Sequence, residues 1–241
     1  MCVIIIARNA FPSMLVLEQA EESNPDGAGM AWSEEGKIKF VKGLKARDIF
    51  ELGQVTPGPW VIHFRWASFG PKDPKLCHPF PINKTASLEL RGEERSVLFH
   101  NGHIKNIEQR MYEALARADM MCPSGPWSDS RGMAFVIDKF GMPMLNFQPG
   151  NQKFAVMSMI KKGDELVPQI FKYGEWEKLD GLELSAPLLR EKKFTCEVDF
   201  KSKEFQDRLL NNLWSPTETT TNMDISSVPY WRKDNKWSKT L

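Results

Sequence analysis

The stretch that most constrains the fold of this chain is the run Val3-Ile4-Ile5-Ile6, which directly follows Cys2. Adjacent β-branched side chains favour extended backbone, and an apolar run without polar alternation is typical of a strand buried on both faces. We therefore expect the chain to begin in the core of a domain, with Cys2 at the N-terminal end of a central strand.

Composition and charge narrow the class of protein. The chain has 241 residues, of which 41% are hydrophobic, so it predicts a globular domain with at most one appendage and excludes a mostly disordered chain. Its 32 basic and 31 acidic residues nearly cancel to a formal charge of +1. This charge supplies no strong field, so we expect neither a nucleic-acid partner nor an acidic-membrane partner.

Nothing in the sequence resembles a targeting or membrane segment. No run approaches about 18 apolar residues, and the N-terminus lacks a basic region followed by an apolar run and a cleavage site. Cys2, Cys77, Cys122 and Cys196 are too few and too scattered for a disulfide framework. We therefore expect a cytoplasmic protein with free thiols.

Secondary-structure patterns fall into blocks of strands, then helices, then strands. Strands are predicted at 2–7, 30–32, 37–41, 60–66, 96–100, 154–160 and 169–173, and helices at 14–21, 46–52, 106–121, 128–140 and 202–213. Segregated blocks favour an α+β domain with largely antiparallel sheets. We expect one domain over 1–213 and a polar, aromatic tail over 214–241, which could be partly disordered or could dock on a protein partner.

Cys2 offers unusual chemistry if Met1 is removed. The residue would then carry a thiol and a free α-amino group, with ordinary pKa values of about 8.5 and about 7.7–8.0. Such an amine is substantially neutral near pH 7 and can take the thiol proton, so nucleophile and base share one residue. The alternative is that Cys2 is a small core residue before a strand.

Three other positions each allow a structural or a functional interpretation. Asn101-Gly102 ends a strand, where a side-chain amide and a backbone N–H could stabilise an oxyanion, although Asn-Gly is also a common hairpin turn. Arg65 lies in an apolar strand and needs a carboxylate, either from a ligand or from an internal acid. Asp129 begins a helix, where it could cap the helix or bind a ligand ammonium group.

These residues occur together, in order, within segments that resemble a known family. The segments are Met1-Cys2, Asn24-Pro-Asp-Gly-Ala-Gly29, His63-Phe-Arg-Trp-Ala-Ser-Phe-Gly70, His100-Asn-Gly-His-Ile-Lys-Asn106 and Ser128-Asp-Ser130. In this combination the chain resembles the glutaminase domain of class II glutamine amidotransferases, which are N-terminal-nucleophile hydrolases. The resemblance implies a four-layer αββα sandwich with mostly antiparallel sheets.

The resemblance also implies a mechanism without a cofactor or metal. Cys2 would attack the side-chain amide of L-glutamine and form a glutamyl thioester, releasing ammonia and then glutamate. Asn101 and Gly102 would stabilise the oxyanion, Arg65 would hold the substrate α-carboxylate, and Asp129 would hold its α-amino group. Further substrate-binding residues implied in the same way are Trp66, Ser68 and His78.

Some positions depart from the family pattern. Asn24 stands where an arginine is usual, and Phe69 replaces a polar residue. Ser130 and Arg131 stand where a threonine followed by an acidic residue is usual. These departures leave the nucleophile and both ligand anchors intact but bear on substrate closure and specificity. A freestanding hydrolase of another γ-glutamyl amide and a catalytically silent ligand- or partner-binding domain therefore remain alternatives.

Two further interpretations concern partners and metals. The chain holds no region that fits an ammonia-consuming synthase, so a glutaminase of this kind would pass ammonia to a separate synthase or ligase, or act alone. A metal site built from Cys77-His78 and His100-x-x-His103 is a different class of alternative, although the spacing matches no common zinc pattern.

Overall fold

The structure is a computed structural model that describes residues 2–67, 71–104, 107–117, 123–147 and 151–188. The predicted helix 202–213, the boundary after residue 213 and the tail 214–241 lie outside the described residues. So do Ser68, Phe69, Cys122 and Cys196.

Strands and helices of the described residues form an α+β fold, as predicted. The strands are β1 Val3–Ala7, β2 Ala28–Glu34, β3 Lys37–Leu44, β4 Trp60–Phe64, β5 Phe80–Pro81, β6 Arg91–Glu94, β7 Ser96–Asn101, β8 Lys153–Lys162, β9 Glu165–Tyr173, β10 Glu177–Leu179 and β11 Leu182–Leu184. The α-helices are α1 Met14–Ser23, α2 Ala46–Gly53, α3 Ile107–Arg117 and α4 Asp129–Phe140, and short 3-10 helices lie at Pro74–Leu76 and Met142–Phe147. None of these helices is long and apolar enough to cross a membrane.

The strands form two sheets, and every pairing among the described residues is antiparallel. The larger sheet has the order β10-β11-β1-β4-β2-β3-β6, and the smaller has the order β5-β7-β8-β9. Strands β6, β10 and β11 were not predicted, because they are three or four residues long and rich in charged residues. Their strand conformation depends on pairing, of β6 with β3, of β11 with β1 and of β10 with β11, rather than on their own sequence.

The predicted position of the first strand is confirmed. All five residues of β1 are buried, and β1 lies between β4 and β11 in the larger sheet. Ile5 is paired with Ile62 on one side and with Leu184 on the other. The strand begins at Val3, so Cys2 lies directly before it, where the chain enters the sheet.

Two apolar clusters hold the sheets and helices together. The first contains residues of both sheets: Ile4, Ile6, Ala31, Ile38, Phe40, Val61, Val97, Phe99, Ala155, Met157, Met159 and Ile170. The second joins the smaller sheet to α3 and α4, and includes Leu98, Phe154, Met111, Leu115, Met133 and Phe135. The two sheets therefore pack face to face, and α3 and α4 cover the other face of the smaller sheet.

One predicted strand is shorter than expected. The prediction placed Arg65 inside a strand 60–66, but β4 ends at Phe64. The reason is that β2 begins at Ala28, opposite Phe64, so no neighbouring strand continues the ladder beyond this point. The backbone of Arg65 instead bonds to the loop before β2, donating to Gly27 O at 2.9 Å and accepting from Asp26 N at 3.0 Å.

Candidate functional site

The site is built where β1 begins and β4 ends. Val3 pairs with Phe64, so Cys2 lies beside the residues that follow β4. The Cys2 Sγ accepts a hydrogen bond from the Trp66 backbone N–H at 3.3 Å, and the thiol points to the Trp66 carbonyl oxygen at 3.5 Å. The side chain of Cys2 is partly exposed, so it is reachable from solvent.

Several groups act on the thiol of Cys2. Burial raises the pKa of the Cys2 thiol, while the Trp66 N–H and the positive charge of Arg65 oppose this rise, and the negative charge of Asp129 adds to it. The balance keeps the pKa above its ordinary value. Cys2 is therefore a thiol rather than a thiolate near pH 7, and it needs a base before it can act as a nucleophile.

Arg65 presents an open hydrogen-bond donor beside this thiol. The residue is 6% exposed, and its Nη2 donates to the Pro71 carbonyl at 3.1 Å. Its Nη1 is buried and has no partner among the described residues. No described carboxylate forms an ion pair with Arg65, since the nearby Asp26 is paired with Lys72 at 2.6 Å. The positive charge of Arg65 nevertheless helps to lower the pKa of Asp26, after the larger effect of Lys72.

Asp129 lies at the first residue of α4 with its carboxylate partly exposed. Its Oδ2 accepts from Ile104 N at 3.0 Å and lies 3.6 Å from His103 Nδ1, while its Oδ1 accepts from Ser130 N at 2.7 Å. The N-cap is Ser128, whose Oγ accepts from Arg131 N at 3.2 Å. The N-cap position therefore belongs to Ser128 rather than to Asp129, while the partly exposed Asp129 carboxylate bonds to the N–H groups of Ile104 and Ser130.

Asn101 and Gly102 do not form a hairpin turn. Asn101 is the last residue of β7, which pairs with β8 rather than with a strand that follows directly, so the turn interpretation was wrong. The Nδ2 of Asn101 donates to Ser185 Oγ at 3.0 Å, and its Oδ1 is buried without a partner among the described residues. Gly102 has a φ of 150°, and a Cβ there would lie 2.0 Å from Gln152 Oε1, so this position requires glycine.

A buried polar network supports the corner after β7. His100 Nε2 lies 2.7 Å from Gln152 Oε1, and His100 Nδ1 lies 3.0 Å from Ser130 Oγ. Because Gln152 Oε1 can only accept, the proton is on Nε2, and Nδ1 is an acceptor that faces the Ser130 hydroxyl, whose one hydrogen Asp129 Oδ1 can also accept at 3.2 Å. Burial lowers the pKa of His100, which keeps this neutral form near pH 7. The network fixes the orientation of Gln152, against which Gly102 packs.

The remaining predicted substrate-binding residues are Trp66, Ser68 and His78. Trp66 is 48% exposed beside Cys2, and Ser68 lies outside the described residues. His78 is buried, with its ring centroid 4.0 Å from that of His63, and no described polar atom bonds to its ring. Burial lowers the pKa of His63 to about 3 and that of His78 well below its ordinary value.

The loop before β2 and the first residues of β2 pack closely against the Cys77-His78 segment. A Cβ at Gly27 would lie 2.8 Å from Cys77 Sγ, and a Cβ at Gly29 would lie 2.0 Å from the His78 carbonyl oxygen. Both positions therefore require glycine. Asn24, which departs from the family pattern, donates through Nδ2 to Ala20 O at 3.0 Å and so ends α1. Among the described residues, no group of three or more His, Cys, Asp or Glu side chains is arranged to hold a metal ion.

Two residues of the site were missed at the sequence level, Gln152 and Ser185. Neither lies in a recognisable motif, and each reaches the site only through the pairing of distant strands. No family model matches the chain, and no curated protein matches it either. The arrangement of the described residues and the sequence resemblance are therefore the grounds for a functional proposal.

Proposed function

We propose that this protein is an N-terminal-nucleophile amidohydrolase of the class II glutamine amidotransferase type, with the four-layer sandwich of that group. The observation that carries the proposal is a partly exposed thiol, Cys2, on which the charges of both Arg65 and Asp129 act. The buried Nη1 of Arg65 has no partner among the described residues, and the Asp129 carboxylate is partly exposed. Cys2, Arg65 and Asp129 come from the ends of different elements. The two sheets packed face to face, with α3 and α4 on the smaller one, support the layered arrangement.

The proposed substrate is a zwitterionic amino acid with a side-chain amide, which is L-glutamine. Its α-carboxylate binds Arg65 Nη1, and its α-ammonium group binds Asp129, whose negative charge is already close to the site. One cationic and one anionic anchor fix the length and orientation of such a substrate. The side-chain amide then lies against Cys2, between the exposed ring of Trp66 and the corner after β7.

The proposed reaction proceeds through a thioester. After removal of Met1, the α-amino group of Cys2 takes the thiol proton, and Sγ bonds to the amide carbon of glutamine. The negative charge that develops on the amide oxygen is stabilised by Asn101 Nδ2 and the Gly102 N–H. The carbon–nitrogen bond then breaks, the nitrogen receives the proton from the α-amino group, and ammonia leaves. Water attacks the thioester to give glutamate and to restore the thiol.

The raised pKa of Cys2 supports an N-terminal base in this scheme. A resting thiolate would need no base, but burial holds this thiol protonated. The ring nitrogens of His63 and His78 are buried, and His100 is committed to Gln152 and Ser130. An α-amino group on the same residue is a base that needs no further side chain. Ammonia then passes to a separate synthase or ligase, or is released by a freestanding hydrolase.

A second candidate is a catalytically silent domain that binds a γ-glutamyl ligand. One observation favours it: Asn101 Nδ2, the proposed oxyanion donor, is bonded to Ser185 Oγ. In this alternative Arg65 and Asp129 still bind the ligand, but the ligand is not turned over.

Glutamate release from glutamine, measured on protein with its native N-terminus, separates the two candidates. The wild type and a Cys77→Ala variant are expected to release glutamate, and Cys2→Ala is expected to release none while binding glutamine. The Cys77 control removes the other described cysteine, which is buried beside Gly27. Release of glutamate by Cys2→Ala would refute the mechanism. Glutamine binding without release by the wild type would support the silent domain.

A further inference from the structure

Ser185 is a fully buried residue that joins three strands at the candidate site. It follows β11, and its N–H donates to the Ile4 carbonyl at 3.0 Å while its Oγ accepts from the Ile4 N–H at 2.8 Å. The same Oγ accepts from Asn101 Nδ2 at 3.0 Å. One hydroxyl group therefore links Asn101 to the backbone of Ile4, two residues after Cys2.

The hydrogen-bond capacity of this cluster is only partly used. A serine hydroxyl has two acceptor sites and one donor. Both acceptor sites of Ser185 Oγ are occupied, whereas its hydrogen has no acceptor among the described residues. Asn101 Oδ1 is a buried acceptor with no donor among the same residues. A donor and an acceptor thus remain unused on two side chains that are already in contact.

A half-turn of the Asn101 carboxamide about its Cβ–Cγ bond corrects this mismatch. Oδ1 then takes the place of Nδ2 and accepts the Ser185 hydroxyl hydrogen, while Ser185 Oγ still accepts from Ile4 N. Nδ2 moves to the place of Oδ1, where no described protein group competes for it. A ligand oxygen that carries negative charge would complete the set, because Nδ2, Oδ1 and the Ser185 hydroxyl hydrogen would then each have a partner. The turn gives up only the longer contact of Nδ2 with the Ser185 carbonyl oxygen, at 3.5 Å.

We infer that Ser185 is a positioning residue for Asn101. In the free protein the Ser185 hydroxyl accepts a hydrogen bond from the Asn101 carboxamide, and it donates one to Oδ1 when Nδ2 turns to a reacting oxygen. This inference rests on the proposed function for the identity of that oxygen. The Ser185 carbonyl is itself fixed, since it accepts from Lys153 Nζ at 2.6 Å. Ser185 therefore keeps its place while the carboxamide changes orientation.

A double-mutant cycle in kcat for glutamine hydrolysis tests this role. Ser185→Ala is expected to lower kcat by about 10-fold with KM changed by less than about 2-fold, as for loss of a group that orients a reacting donor. Ser185→Thr, which keeps the hydroxyl, is expected to restore most of kcat. In an Asn101→Ala background, the Ser185→Ala change is expected to have almost no further effect on kcat.

Ser158→Ala is the matched control. Ser158 Oγ lies 2.5 Å from Ser96 Oγ on strands of the smaller sheet, so the variant also removes a bonded serine hydroxyl. It is expected to leave kcat unchanged. An equal fall in kcat from Ser185→Ala with and without Asn101, or an unchanged kcat in Ser185→Ala, would overturn the inference.

A second measurement does not depend on turnover. The side-chain NH2 resonances of Asn101 are assigned by their loss in Asn101→Ala, and their exchange with water is measured by NMR. Exchange is expected to be slow in the wild type and in Ser158→Ala but faster in Ser185→Ala. If the wild type hydrolyses nothing but shows this pattern, the proposed function fails, while the hydrogen bond through which Ser185 orients Asn101 stands. Unchanged exchange in Ser185→Ala would overturn the positioning role whatever the activity.

Discussion

Two buried arginines in this protein have nearly the same exposure and opposite degrees of hydrogen bonding. Arg131 is 2% exposed and Arg65 is 6% exposed. Arg131 donates to four backbone carbonyls, those of Ala86, Pro126, Thr85 and Ser124, at 2.8–3.1 Å, and stacks on Trp127 at 4.1 Å. Arg65 donates to one carbonyl, and its Nη1 has no partner among the described residues.

The comparison shows that burial alone does not identify a binding residue. Arg131 stabilises the segments around it, because its charge and donors are satisfied inside the fold. Arg65 carries a desolvated donor whose cost is offset only when an acceptor arrives. Arg131 therefore holds the chain before α4, and Arg65 is the arginine to which the proposed function assigns the substrate carboxylate.

The largest expected effect is on stability. Arg131→Ala should lower the free energy of unfolding by about 3 kcal/mol or more, because four carbonyls lose their donor and Trp127 loses its stacking partner. Urea denaturation measures this change. A loss below about 1 kcal/mol would show that the four hydrogen bonds are not the main support of this region.

Arg65→Ala should weaken substrate binding and leave stability nearly unchanged, the opposite of Arg131→Ala. The KM for glutamine is expected to rise by about 100-fold with little change in kcat, since the substrate loses its carboxylate partner in both ground and transition states. The free energy of unfolding is expected to change by less than about 1 kcal/mol. Arg65→Ala kinetics like those of the wild type would remove the distinction between the two arginines.

Two buried histidines, His63 and His78, also lack hydrogen-bond partners for their ring nitrogens among the described residues, and this affects how stability depends on pH. Both stay neutral in the fold because burial lowers their pKa values, that of His63 to about 3. In the unfolded chain both take up a proton below about pH 6.5. Stability present above that pH is therefore lost as pH falls, at about 1.4 kcal/mol per pH unit for each histidine.

The measurement is urea denaturation between about pH 6 and pH 4, with His63→Leu as the variant. The free energy of unfolding should fall less steeply with decreasing pH in the variant than in the wild type. The two slopes should differ by about 1.4 kcal/mol per pH unit, which corresponds to one bound proton. Equal slopes would mean that His63 does not remain neutral in the fold.

The smallest effect is expected at the second anchor. Asp129→Asn keeps the shape of the side chain and one acceptor, which can serve Ile104 N, but removes the charge and the second acceptor, which serves Ser130 N. The KM for glutamine should rise by about 5- to 10-fold, as for a partly exposed ion pair. Steady-state kinetics with glutamine measures this rise. An effect as large as that of Arg65→Ala would show that the two anchors are equally desolvated.

Local patterns predicted much of the fold. The run Val3 to Ile6 indicated a central strand, and the pattern over 128–140 indicated the helix α4. Short strands such as Leu182–Leu184 were missed because pairing with β1, not their composition, makes them strands. In the site, motifs pointed to Arg65 and Asn101, whereas Ser185 and Gln152 have no local signal. Their roles arise from contacts between residues far apart in the sequence.

The central claim is that Cys2 is a competent N-terminal nucleophile in a glutamine-shaped site. Intact-mass measurement of protein with its native N-terminus, before and after treatment with 6-diazo-5-oxo-L-norleucine, tests it most directly. We predict loss of Met1 and a single adduct that maps to Cys2. Retained Met1, no adduct on processed protein, or an adduct on Cys77 would contradict the account.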